Sequence, residues 1–381
     1  MDKTGASGSK AAIPEQFGLI NFLKAGAAQL IVLHHLAFYG PMADVARPLM
    51  PGVVDWLDAY GRIAVQVFLV IGGFLAAKSL SPRGRPGIAH PLGAIWRRYL
   101  KLAPAFIVAM LVAIAASALA RGWMDHDSIS APASLGQLVA HLLLLHDVLG
   151  YEALSAGAWY VAIDFQLYAL MTLLLWLAGR LAGRRTRDWL MPGLVAAGVG
   201  ASLFYFNRDA GWDAWAPYFF GSYGLGALAW WAGDPEREQG GVTLLMLAMV
   251  LPVMAALALD FRTRIAVAAV VACVLFLFGR IRLAGGSPMG LFNGMAKISF
   301  SVFLIHFPVC LVVNAAFTRF VPEQAHAQAA GMLVAWGASL AAGAAFFRWV
   351  EAPLGRFFAR PARAGTVPMQ ALAVKPGTPR G

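Results

Sequence analysis

The chain has 381 residues, of which 60% are hydrophobic and only 13% charged; with Gly counted in and Tyr out, the apolar share rises to about 68%, against roughly 45–50% in soluble domains. A soluble enzyme and a disordered chain are excluded by this balance, and continuous rather than alternating apolar runs exclude an outer-membrane barrel. The net charge of +11 would suggest nucleic acid in a soluble protein, but in so apolar a chain the basic residues serve to fix orientation in a bilayer.

Residues 1–16 are polar, and the apolar run after them is too long for the core of a signal peptide, so a cytoplasmic N-terminal segment without a cleavable leader is expected. A membrane domain over 17–358 follows, with ten spans expected near Phe17–Tyr39, Arg62–Leu80, Arg97–Ala120, Ala158–Ala178, Trp189–Phe206, Trp215–Ala232, Val242–Leu259, Arg262–Gly279, Met295–Phe317 and Gln328–Val350. The run Leu135–Leu149 is too short to cross and carries His141 and His146. It reads as a re-entrant or interfacial helix. Residues 359–381 read as a disordered cytoplasmic tail. The fold class is therefore all-α and polytopic, with no internal repeat and no appended soluble domain. Cys273 and Cys310 sit inside apolar runs as small hydrophobes, and no metal set is apparent.

Alternating the spans from a cytoplasmic N-terminus places Lys78, Arg83, Arg85, the Arg180–Arg187 cluster, Arg280, Arg282, Lys297 and Arg356 inside. The outer loops then hold few bases and most of the loop acids, among them Asp44, Asp55, Asp58, Asp125, Asp127, Asp147 and Glu152. This asymmetry predicts both termini inside.

Ionisable side chains within spans are costly and are functional candidates by default. In the first span Lys24 and His35 are eleven residues apart, which puts them on one face and roughly 16 Å apart along the axis, with His34 turned about 100° away. A snorkelling Lys and a capped His are the bland alternative. In the fourth span Asp164 falls about 9 Å below the outer boundary, close to the depth of His35, about 6 Å below it. A His held by a carboxylate suits a general base, so a His35–Asp164 dyad is expected; a proton-coupled transporter would use the same pair. Arg97, Arg98 and Lys101 cluster at the inner mouth of the third span, as phosphate ligands or as ordinary membrane anchors. Trp159, Tyr168, His306 and His146 are candidates to line a substrate lane, with packing or structural hydrogen bonding as the alternative.

Six segments together resemble acyltransferase family 3, integral membrane enzymes, mostly bacterial, that O-acetylate surface and secreted glycans. Lys24 and His35 resemble the family's basic-X10-His signature. Val67-Phe68-Leu69-Val70-Ile71-Gly72-Gly73-Phe74-Leu75 resembles "FFVLSGFL", with Gly72 where Ser is usual. Arg97-Arg98-Tyr99-Leu100-Lys101-Leu102-Ala103-Pro104 is similar to the basic third-span entry, and Trp159 to Asp164 to Trp-X4-Glu with Asp for Glu. Ile298-Ser299-Phe300-Ser301-Val302-Phe303-Leu304-Ile305-His306 resembles "ISYSIYLIH", and Glu351-Ala352-Pro353 matches Glu-X-Pro. The resemblance implies a membrane O-acyltransferase of a bacterial cytoplasmic (inner) membrane. It would take acetyl-CoA or another acyl-CoA from the cytoplasm and a carbohydrate or glycolipid hydroxyl from the other side, without metal or nucleic acid. Lys24, Arg97, Arg98 and Lys101 would then bind the CoA phosphates, and His35 and Asp164 would be catalytic. A transporter or flippase of a glycan or lipid intermediate is the alternative from another class.

Overall fold

The computed structural model describes residues 18–85, 88–183, 188–281 and 287–359. The expected N-terminal segment 1–16, the tail beyond residue 359, and Arg184, Arg185, Arg187 and Arg282 lie outside the described residues. The helices are α1 (Gly18–Phe38), α2 (Pro41–Ala46), α3 (Pro51–Tyr60), α4 (Ala64–Leu80), α5 (Pro91–Arg121), α6 (Leu135–Leu142) and α7 (Ala158–Leu181). They continue as α8 (Leu190–Phe204), α9 (Ala216–Ala232), α10 (Gln239–Leu259), α11 (Thr263–Phe278), α12 (Ser287–Phe320), α13 (Ala325–Phe346) and α14 (Ala352–Ala359). No strand occurs among the described residues.

Every expected span has a helix at its position. Eight helical segments among the described residues are long and apolar enough to cross a membrane, α3 and α4 running together as one of them. The other two expected spans, α9 and α11, are shorter, at 17 and 16 residues. What distinguishes α9 is its place in the molecule. Fifteen of its residues are buried, so it is apolar on every side and packs against α4, α7, α8, α10 and α11 as the pillar of one half of the fold. Its crossing with α4 is made by glycines. A Cβ on Gly73 would lie 1.7 Å from the Tyr223 carbonyl oxygen, and one on Gly226 would lie 1.9 Å from that of Val70. Small residues let the two backbones touch, which in a bilayer supplies the packing that hydrophobicity cannot. On the other side of the molecule α1, α12 and α13 pack together.

The expected re-entrant segment is the eight-residue α6, which opens on a Ser134–Gln137 capping box and ends in tight turns with Leu144 at φ 57° and Gly150 at φ 74°. The chain leaves α1 through Gly40, whose φ of 114° only glycine adopts easily and whose missing side chain makes room for Asn314.

The loops sort to two ends. Residues from the α1–α4, α5–α7 and α8–α9 connections and from the first turn of α11 line one cavity and so share one end. At the opposite end Arg83 pairs with Glu236 and Arg85 with Asp188, and Arg280 donates to the Trp230 carbonyl. This is the sidedness that alternating spans require.

Candidate active site

At the cavity end, α1 closes with His34 and His35, both buried. The Nδ1 of His35 lies 2.6 Å from Nε2 of His306 on α12, and the His306 Nδ1 lies 3.0 Å from the Val302 carbonyl. The two ring planes are 14° apart with centroids at 4.9 Å. With a nitrogen contact this short, that separation means rings meeting edge to edge in nearly one plane, the geometry of an in-plane hydrogen bond. A carbonyl only accepts, so His306 carries its proton on Nδ1 and donates to Val302. For the neutral pair the rest follows. The bare Nε2 of His306 accepts from Nδ1–H of His35, and the lone pair of His35 is left on Nε2. That nitrogen makes no hydrogen bond among the described residues, and its ring lines the cavity. His34 lines the same cavity. Its Nδ1 donates to the Leu57 carbonyl at 2.8 Å.

The cavity has a volume of about 1210 Å³ and is walled by His35, Gln66, Trp159 and Tyr218 together with loop residues. That is a generous size for a small-molecule site. Gln66 is fixed by a hydrogen bond from Ser222 at 2.6 Å.

The second centre is built on Asp164 of α7 and the bases of α5 and α1. Asp164 on α7 pairs with Arg98 on α5 at 2.5 Å, their side chains 10% and 24% exposed. The Arg98 guanidinium sits 5.2 Å from the centre of the Tyr168 ring. Lys24 and Lys101 are both within electrostatic reach of Arg98 and Asp164, so three bases surround one acid. Gly72 leaves room here; a Cβ on it would meet Asp164 Oδ1 at 3.5 Å and the Tyr223 ring at 3.2 Å. Arg97 is exposed on the same turn of α5. Glu351, on a single π-type turn after α13, accepts from the Ser301 hydroxyl at 2.5 Å and is within electrostatic reach of Lys101. Among the described residues no group of three or more His, Cys, Asp and Glu could hold a metal.

The structure corrects the expected His35–Asp164 dyad. Equal depth did not make the two residues neighbours, because α1 packs on α12, α4 and α3, whereas α7 packs on α5, α9 and α4. Asp164 therefore meets Arg98, and His35 meets His306. The two centres are joined through rings: Tyr160, one turn before Asp164, is 5.2 Å from Phe303, which is 6.0 Å from His306. Of the expected lane residues, Trp159 lines the cavity, Tyr168 lies against Arg98 and His306 holds His35. His146 does not line the cavity; it is buried and stacked on His141 at 4.0 Å, and burial pushes its pKa down to about 3. Sequence reading did not find Gln66, Tyr160 or Tyr223, whose neutral side chains in apolar runs carry no signal until their neighbours are known.

Many apolar helices around an internal ionic centre, with a histidine-walled cavity at one end, define a polytopic membrane protein with a buried polar site. The model of an acyltransferase domain matches residues 18–347, nearly the whole chain, and the chain belongs to acyltransferase family 3. It is also 28% identical over 140 residues to the regulator of hypoxia-inducible factor 1 of Caenorhabditis elegans, a match covering 35% of this chain and 28% of that protein. The chain thus spans less than a third of the length of that curated relative. No solved structure matches this chain.

Proposed function

We propose that this protein transfers an acyl group, acetyl in the simplest case, from acyl-CoA to a hydroxyl of a carbohydrate or glycolipid held in the cavity. The observation that carries the reading is the orientation of His35, whose Nδ1–H is used by His306 and whose Nε2 is left free at the cavity wall. A bare imidazole nitrogen is the group that removes a hydroxyl proton as the oxygen attacks a thioester carbonyl. The ester C–O bond forms, the C–S bond breaks, and the proton passes from imidazolium to the departing thiolate, leaving free CoA. His306 holds the ring and its tautomer throughout.

The bases Lys24, Arg98 and Lys101, with Arg97 beside them, would bind the CoA phosphates. Their excess over Asp164 supports an anionic ligand, and the end that carries Arg83, Arg85 and Arg280 would face the cytoplasm. The thioester would then travel the roughly 16 Å between the levels of Lys24 and His35. In this reading Asp164 clamps Arg98 and does not touch the reacting atoms.

The test is acyl transfer by the purified protein, with labelled acetyl-CoA as donor and a membrane extract of cells lacking the gene as acceptor. Label should enter the glycan or glycolipid fraction with release of CoA thiol, and His35→Ala should abolish both. Wild-type protein that leaves acetyl-CoA intact, or a fully active His35→Ala, would overturn the proposal.

A further inference from the structure

The cavity beside His35 has a charge of its own. Five carboxylates line it, those of Asp58, Asp127, Asp147, Glu152 and Asp213, against the guanidiniums of Arg62 and Arg264. Neither guanidinium pairs with any of these acids. Arg264 is turned into the protein, donating to the Tyr218 hydroxyl and the Asn207 carbonyl. Among the described residues Asp58 lies 3.8 Å from Arg47 and Asp147 lies 3.5 Å from His146, while Asp127, Glu152 and Asp213 have no basic partner within ion-pair distance. The unpaired Asp127, Glu152 and Asp213 are exposed, so it is the mouth of the cavity that carries the unneutralised negative charge, while His35, only 6% exposed, has Arg62 as the charged cavity group within its electrostatic reach.

We infer that this cavity selects its acceptor by charge: it admits hydroxyl-bearing molecules that are neutral or carry an amine, and it excludes those that carry a carboxylate, sulfate or phosphate near the reacting hydroxyl. This rests on the cavity being the acceptor site and adds the class of acceptor. Carboxylate oxygens only accept hydrogen bonds, so they suit the donors of hydroxyl and ammonium groups and offer an anion nothing. A cleft whose charged lining is mainly of one sign attracts ions of the other, and fields of this kind change local ion concentrations by about 10–10³-fold. Asp147 registers the crowding: burial, reinforced by Asp213, pushes its carboxyl up to about 6. A neutral sugar surface also matches the aromatic part of the wall, Trp159 and Tyr218, better than an ionic one does.

A cysteine probe tests this without any transfer reaction. In a background of Cys273→Ala and Cys310→Ser, Ala156→Cys places a thiol on the cavity wall. Its rates of modification by a trimethylammonium and a sulfonate methanethiosulfonate are compared with those of a free thiol in the same low-salt buffer. The normalised ratio should favour the cationic reagent by about tenfold or more. It should fall as salt is added and drop toward one when Asp127→Asn, Glu152→Gln and Asp213→Asn are combined. A ratio of one or less, or a ratio indifferent to those three substitutions, would overturn the inference. Because no acyl transfer is measured, either result leaves the acyltransferase reading standing, and that reading fails only in its own assay.

Discussion

Replacing His306 with Ala isolates the contribution of orientation from that of the base itself. The substitution removes the acceptor of the 2.6 Å hydrogen bond and leaves Nδ1–H of His35 buried without a partner. An unmet buried donor costs about 1–3 kcal/mol. Where that cost is paid in the productive orientation of the ring, kcat falls by about 5- to 150-fold. Losing the base altogether, in His35→Ala, should cost about 10²–10⁴-fold. Since His306 acts through His35, the double variant should be no slower than His35→Ala alone, a non-additivity that a merely structural role would not produce. His306→Gln, which keeps an acceptor oxygen, should recover part of the loss. The assay is CoA thiol release under saturating acetyl-CoA, with KM for the donor expected to hold because the basic cluster is untouched. A well-folded His306→Ala enzyme with wild-type kcat, or a double variant that multiplies the two losses, would refute the reasoning.

Four other outcomes follow from particular contacts. Asp164→Asn leaves the Arg98 charge without its acid, for which about 3–5 kcal/mol is typical of buried pairs, with the lower end fitting a guanidinium that is 24% exposed. Thermal unfolding should shift down accordingly and recover in Arg98→Met/Asp164→Leu, and an unshifted Asp164→Asn would show that the pair clamps nothing. Arg97→Gln with Lys101→Gln should raise the KM for acetyl-CoA about tenfold, or about 1.4 kcal/mol, while leaving that of the acceptor unchanged; an unchanged donor KM would leave the two bases as membrane anchors. Gly73→Ala sets a methyl 1.7 Å from the Tyr223 carbonyl and should yield aggregated protein by size-exclusion chromatography, whereas a monodisperse, active product would mean that the α4–α9 crossing yields easily. Asp147 is protonated more readily in the folded chain than in the unfolded one, so its charging lowers stability as pH rises from about 4 to about 6. Asp147→Asn should therefore raise Tm at pH 8 and leave it unchanged at pH 4, and equal shifts at both would remove the electrostatic explanation.

The helices were legible because each expected span is a run of apolar residues, and a bilayer leaves the backbone of such a run few other conformations. Sidedness was legible for a similar reason: the acids of the cavity come from loops that strict alternation puts together. Placement around the bundle was not. Helical rise sets the depth of His35 and Asp164, but which helix each one faces depends on packing between helices far apart in the chain, such as α1 on α12. Hence His306 was visible as a costly buried histidine while its partner was not. The central place of α9 was hidden too, since its glycines matter only through the backbones they let approach, Gly73 against Tyr223 and Gly226 against Val70.

The central claim is that a free nitrogen on His35 drives acyl transfer onto a carbohydrate. It can be tested in the cell without knowing the acceptor, by comparing the surface glycans of a strain lacking the gene with those of the same strain carrying the wild-type or the His35→Ala gene at matched protein levels. Mass spectrometry should show an added acyl mass, 42 Da for acetyl by elementary stoichiometry (about 0.04 kDa), with the wild-type gene and none with His35→Ala. The same acyl mass in the His35→Ala strain, or none in any of the three, would contradict it.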